Sequence, residues 1–298
     1  MHTTIQRTPG LKVHSLELSL GPTRHGKNTL QSKLVELTRE CWPAFLDAIV
    51  IHANRLTIFG VRYRPYWIMS DLAVAATLIY AWAFSRRFPH VSGLGLGVAV
   101  VAALLIYKLV LEIKAVFRKT AARSFLQDCL SIIIPCFLAV SLIFRQPLSL
   151  AMAFLGTLMP LYGCLARLGC FLGGCCFGKP SRLGVFYSAS IFESTDHGCR
   201  RFSSSPNPGT RVFPIQLVES AAQAILFAAL VILVWRHPNA AWAIFWIYLS
   251  LYAIVRFVLD FYRTTSARPR YGCFSEAQLA CVVVQAVSLS VLISVVGR

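Results

Sequence analysis

The sequence predicts an all-α, polytopic membrane protein of about seven transmembrane helices, with a long loop between the fourth and the fifth. Three observations lead there. Hydrophobic residues make up 56% of the 298-residue chain and charged residues only 14%, more apolar surface than a soluble domain of this size buries. The apolar residues fall in blocks of about 20, the length a helix needs to cross the hydrocarbon core. The segments between blocks are short, apart from residues 179–213.

Taken in order, residues 1–40 form a basic tail rich in His, Arg, Lys, Thr and Ser, with no apolar h-region and hence no signal peptide expected. Leu16-Glu17-Leu18-Ser19-Leu20 alternates like a short strand. Residues 41–60 are apolar but interrupted by Asp47, His52, Asn54 and Arg55, which suits an interfacial segment. Residues 41–298 read as one membrane domain. The expected spans are 66–84, 94–111, 125–144, 148–166, 214–235, 241–262 and 275–296. The third is the least regular, with Asp128 near its start and Pro135 in its middle. The long loop contains a turn signal, Pro206-Asn207-Pro208-Gly209. The seventh span opens with Ser275-Glu276-Ala277-Gln278, a capping-box signature.

The formal net charge is +17. The Lys and Arg residues lie in the tail and loops, and no nucleic-acid-binding motif accompanies them, which excludes nucleic acid as the expected partner. Anionic membrane lipid is the natural counterpart. Loops 112–124, 179–213 and 263–274 carry most of the basic residues. The positive-inside rule therefore places the amino terminus and the end of the fourth span in the cytoplasm.

Three groups of residues carry chemistry. Ala166 to Gly178 holds Arg167, four glycines (Gly169, Gly173, Gly174, Gly178) and three cysteines (Cys170, Cys175, Cys176). A cation at membrane depth calls for an anionic partner, and glycine permits close backbone approach. A snorkelling arginine explains Arg167 but not the glycines. In the sixth span Tyr252, Arg256, Asp260 and Arg263 share one helical face. They suit either a functional cluster or a structural ion pair with Arg263 reaching the interface. Gln216, Glu219 and Gln223 form a stripe opening the fifth span, where a carboxylate also suits the helix dipole. The cysteine spacing invites a metal, with Cys199 or His197 as a further ligand, but it lacks paired knuckles and requires none. No metal and no cofactor is expected. Two arginines on different helices, a carboxylate, a tyrosine and a glycine-lined turn suit an anion such as a phosphodiester headgroup.

On these motifs the chain resembles the prolipoprotein diacylglyceryl transferase family, in its cysteine-rich form, over about residues 60–290. Arg167-Leu168-Gly169-Cys170-Phe171 through Gly178, with Pro160 before it, matches the family's arginine-glycine signature. Pro214, Gln216, Leu217 and Glu219 match its entry to the fifth span, and Tyr252, Arg256, Asp260 and Arg263 its sixth-span pattern. Ser275 and Gln278 match the motif before the last span, and Tyr66 the tyrosine opening the first.

The resemblance implies a multi-pass enzyme of the bacterial cytoplasmic (inner) membrane. Such enzymes move a diacylglyceryl group from phosphatidylglycerol to the lipobox cysteine thiol in the signal-peptide region of a preprolipoprotein. It implies catalytic roles for Arg167, Arg256, Tyr252 and Asp260. It implies substrate contacts for Tyr66, Gly169, Cys170, Gly174, Gly178, Gln216, Glu219 and Arg263. It also places the pocket at the outer face, opposite to the charge distribution.

The chain departs from the family at several points. Residues 125–144 hold no histidine where the family carries one, and Ser131 lies near that place. Cys170 and Cys175 stand where an asparagine and an acid are expected, and Phe213 where a histidine precedes Pro214. Two further readings therefore stand beside the first. One is a phospholipid transferase with another acceptor, and the other a non-enzymatic membrane protein handling thiols or metal.

Overall fold

The computed structural model describes residues 30–55, 57–58, 61–62, 64–118, 129–188, 191, 210–264 and 270–296. The alternating segment at 16–20, the turn at 206–209, His197 and Cys199 lie outside the described residues. The fold is all-α. Its helices are α1 (Leu30–Arg55), α2 (Pro65–Arg87), α3 (Gly93–Arg118), α4 (Ile134–Ile143), α5 (Leu148–Leu172), α6 (Ile215–Arg236), α7 (Ala241–Asp260) and α8 (Glu276–Val296). A π-helical turn, Cys129–Ile133, leads into α4, and a 3-10 turn, Pro238–Ala240, into α7. Strands are minor: the hairpin pairs β1 (Thr57–Ile58) with β2 (Val61–Arg62), and β4 (Arg270–Tyr271) with β5 (Phe274–Ser275). A single strand β3 (Pro180–Val185) follows α5.

Among the described residues, six helices are long and apolar enough to cross a membrane, accompanied by one shorter apolar helix over Ser131–Ile143. That short helix lies where the third span was expected. Pro135 has no N–H to donate into the preceding turn, and the π-helical turn sits there. α1 continues across residue 40, where the basic tail is expected to meet the membrane domain. It buries Pro43, Leu46, Val50 and Asn54 on one face and exposes Trp42, Phe45 and Ile51 on the other. The polar interruptions of the sequence are its docking face and its rim.

α5 is the central helix, packed against α2, α6 and α7 and touching α1 and α4, while α8 rests on α7 and α3 on α4 and α2. Glycine makes the closest seam possible. A Cβ on Gly156 would lie 2.6 Å from the Cα of Phe245, so α5 and α7 touch backbone to backbone. Small and polar residues join α5 to α6: Ser220 Oγ donates to the Cys164 carbonyl at 2.9 Å, and Gly163 faces Gln223. An aromatic core fills one end of the bundle, with Tyr80 stacked on Phe154 at 5.5 Å and its hydroxyl donating to Thr157 Oγ1 at 2.8 Å. Phe84, Phe137 and Phe245 complete it. The other end, where α5 stops and α6 starts, is left for polar groups.

How α5 stops decides the shape of that end. Gly174 adopts φ +70°, the left-handed conformation that favours glycine. The Gly174 N–H bonds the Phe171 carbonyl at 3.3 Å, and the Cys175 N–H reaches back to the Cys170 carbonyl at 3.0 Å. This pair of bonds is a Schellman termination. The chain then returns across the bundle end. Gly178 N–H donates to the Phe213 carbonyl at 2.9 Å, Lys179 N–H to that of Tyr262 at 2.9 Å, and Thr264 Oγ1 to that of Gly178 at 2.7 Å. The entry to α6 and the exit of α7 are thereby held against one loop. α1 covers β3 from outside, with Asp47 accepting Phe186 N–H at 2.8 Å and pairing with Arg211 at 2.6 Å.

Candidate functional site

The polar end of the bundle is organised around Glu219, near the start of α6. Its carboxylate is fully buried. It accepts the Tyr252 hydroxyl at 2.8 Å and forms ion pairs with Arg167, whose Nε lies 3.0 Å away, and with Arg263 Nη2. Residues from α5, α6, α7 and the segment after α7 thus meet on one group. Arg256 is close enough for its charge to act on Glu219 as well. One turn along α7, Asp260 Oδ1 lies 3.5 Å from Arg256 Nη2. Asp260 Oδ2 accepts the Ser275 hydroxyl.

Ser275 does two jobs. Its Oγ accepts Gln278 N–H at 3.1 Å, and its own N–H donates to Gln278 Oε1 at 2.9 Å, which forms the capping box at the start of α8. The same hydroxyl donates to Asp260, so the cap of α8 is tied to the charged face of α7.

The cluster carries three guanidiniums (Arg167, Arg256, Arg263) and two carboxylates (Glu219, Asp260), a formal 3 − 2 = +1. Arg256 and Arg263 are buried, whereas Arg167 keeps about a fifth of its side chain accessible, 23%. Two buried donors of Arg263, Nε and Nη1, have no hydrogen-bond partner among the described residues. Buried charge without full compensation is costly. A monoanion at this place would meet both needs. A cavity of about 30 Å³ opens beside Arg256 and Tyr252, walled by Met159 of α5 and by Cys281 and Val284 of α8. A far larger groove, about 690 Å³, lies between α2 and α3 near Leu78, Trp82 and Leu94. It is apolar and away from the charges.

The other expected site residues fall around this centre. Gly169 lies at the α5–α2 seam, where a Cβ would be 3.0 Å from that of Met69 and 3.4 Å from the Tyr66 carbonyl. Tyr66 therefore packs on Gly169, on the face of α5 turned to α2. Gly178 faces the Phe213 and Tyr262 carbonyls, and Gly174 faces Tyr187 and Ile191. These three glycines approach protein atoms, which explains them through packing and helix termination. Gln216 is fully buried and donates to the Cys175 carbonyl at 2.6 Å. It ties α6 to the loop after α5. Tyr187 braces the same loop by donating to the Phe171 carbonyl at 2.8 Å. Burial pushes its phenol well above the ordinary tyrosine range, which keeps it a donor.

Cys170, Cys175 and Cys176 come together, with their three sulfurs all within 4.8 Å of one another. None is in a disulfide. Two supports escaped the sequence reading. Asn54 Nδ2 caps the end of α5 by donating to the Leu172 carbonyl at 2.8 Å, and Asp47 holds Arg211. Both stood in the sequence only as polar breaks in an apolar stretch.

Over residues 56–294 the sequence matches the prolipoprotein diacylglyceryl transferase family. The chain belongs to that family. Among curated proteins it is similar to a phosphatidylglycerol–prolipoprotein diacylglyceryl transferase of Clostridium tetani (strain Massachusetts / E88), 29% identical over 101 residues. That match covers 33% of this chain and 34% of the relative, so the chain aligns with about a third of the relative's length. Every member of the charged cluster lies within the family's matched region. Transferase chemistry in a membrane, connected with lipoproteins, is the activity of that family.

Proposed function

We propose that this chain moves the diacylglyceryl group of phosphatidylglycerol to the lipobox cysteine thiol in the signal-peptide region of a preprolipoprotein, releasing glycerol phosphate. The observation that carries the proposal is the buried, net-positive arginine cluster fixed on Glu219. In this reading Arg167 and Arg256 grip the phosphate oxygens of the lipid, and the unpaired donors of Arg263 complete the grip. Glu219, Asp260 and Tyr252 keep the guanidiniums oriented. As the acceptor sulfur bonds to the glyceryl carbon, the bond from that carbon to the phosphate oxygen breaks, and negative charge builds on the leaving phosphate. Donors aimed at such charge contribute about 10²–10³ in rate each.

The cavity beside Arg256, about 30 Å³, has room for roughly one water. A headgroup therefore enters by displacing a guanidinium from Glu219 or by parting α7 from α8. The site faces the outer leaflet of the bacterial cytoplasmic membrane, and its basic loops meet anionic lipid there. Residues 41–298 act as the catalytic membrane domain, with residues 1–40 as a basic appendage.

A second reading, transfer to a different acceptor, is favoured by two features: thiols at Cys170 and Cys175, and no histidine within 125–144. Complementation separates the two. Expression in a transferase-depleted bacterium restores lipoprotein maturation if the acceptor is the lipobox cysteine. Turnover of phosphatidylglycerol without mature lipoprotein selects the other acceptor. If neither occurs, the transferase reading itself fails.

A further inference from the structure

Three thiols gathered beside an arginine cluster need an explanation of their own. Cys170 lies one turn beyond Arg167 on α5, on the same face. Cys175 and Cys176 are brought back to it by the termination of α5. Gly174 has φ +70°, and Cys176, a non-glycine residue, has φ +57°. Such a conformation is uncommon for a residue with a side chain and is held in place by its surroundings. Cys170 and Cys175 are buried and Cys176 is half-buried. The three sulfurs lie within 4.8 Å of one another, and the first of them is three residues on from Arg167 along the same helix.

We propose that Cys170, Cys175 and Cys176 bind one zinc ion with its fourth position left open, and that the acceptor thiol takes that position as a thiolate. This inference rests on the transferase reading above and supplies a route for the thiol proton where residues 125–144 hold no histidine.

The geometry suits it. Three thiolates at about 2.3 Å from zinc have sulfurs about 3.8 Å apart in a tetrahedral site. The observed sulfurs, all within 4.8 Å of one another, need movements of no more than about 1 Å to converge. Soft sulfur ligands select zinc over hard cations. Zinc sites with three protein ligands keep the fourth for substrate. A thiol that coordinates zinc loses its proton outright. Here that proton leaves to water on the accessible side of Cys176. The zinc-held thiolate then forms the C–S bond while the C–O bond to phosphate breaks, and glycerol phosphate departs with the electron pair and negative charge. Zinc is neither oxidised nor reduced.

The test uses full-length protein purified in detergent from zinc-supplied cells. Metal analysis is expected to find one zinc per chain, and Cys170→Ser, Cys175→Ser or Cys176→Ser to lower it at least tenfold. Arg167→Ala is expected to keep the zinc and lose phospholipid turnover. Cobalt exchanged into the unaltered protein gives a reading independent of any variant's folding. A thiolate-to-cobalt charge-transfer band is expected, and it shifts on adding a lipobox peptide but not its Cys→Ser analogue. Turnover by a zinc-free chain, stoichiometric copper in place of zinc, or a disulfide mapped among the three cysteines overturns the proposal and leaves the transferase reading intact. Bound zinc with no turnover of any phospholipid keeps the metal site and overturns its role in transfer, together with the transferase reading.

Discussion

Replacing Glu219 by Gln removes the one negative charge on which Arg167, Arg263 and Tyr252 converge. The shape is nearly unchanged, so the effect is electrostatic. An amide oxygen has two lone pairs for the three donors, and the amide nitrogen adds two donors facing guanidinium. At least one contact is lost and another becomes repulsive. The cluster's formal charge rises from +1 to 3 − 1 = +2. Removing one partner of a buried pair costs about 3–5 kcal/mol. For a chain of this size that corresponds to a fall in melting temperature on the order of 10 °C. The assay is thermal unfolding in detergent, followed by tryptophan fluorescence, beside a phospholipid-turnover assay at a temperature where the variant is folded. Glu219→Asp keeps the charge but draws it back by one methylene, and a smaller fall is expected. If Glu219→Gln melts within about 2 °C of the parent, Glu219 is not the compensating charge of this cluster.

Three further outcomes follow from the packing. Gly156→Ala forces a Cβ to within 2.6 Å of the Phe245 Cα and is expected to destabilise by about 1–3 kcal/mol; Gly97→Ala, which meets only the Leu78 Cδ2 at 3.3 Å, serves as the mild control in the same melt. Arg211→Ala breaks a partly exposed pair with Asp47, so global stability changes by about 1 kcal/mol or less while hydrogen exchange quickens in α1. Ser275→Ala loses both the cap of α8 and the bond to Asp260 and costs about 2–4 kcal/mol. In unfolding measurements Ser275→Thr recovers most of that, whereas Ser275→Asp restores a cap but sets a like charge against Asp260 and recovers little.

Local features were legible in the sequence and convergent ones were not. The capping box at Ser275 and Gln278 and the approach of Arg256 to Asp260 follow from spacing along one helix, and the structure contains both. Glu219 read as a carboxylate favoured by a helix N-terminus. Its partners Arg167 and Arg263 lie 52 and 44 residues away in the chain, and no periodicity reports such a meeting. Gly174 read as a point of close backbone approach, and its positive φ adds the stop of α5, a signal available in the Gly173-Gly174 pair. The third span was expected over 125–144 as the least regular of the seven, on account of Asp128 and Pro135; its described part, 129–143, is helical, with a π-helical turn ahead of Pro135 that composition does not announce. Cys170-x4-Cys175-Cys176 looked too irregular for a ligand set, because the linear spacing hides a turn that folds two of the thiols back onto the third.

The most direct measurement is thioether formation by purified protein in vesicles of phosphatidylglycerol, supplied with a lipobox peptide and read by mass spectrometry. The unaltered chain is expected to add one diacylglyceryl group to the peptide's cysteine, and Arg167→Ala and Arg256→Ala each to slow this by about 10²–10³ while remaining folded. Wild-type rates from either variant, or no modified peptide from the unaltered chain, would contradict the account.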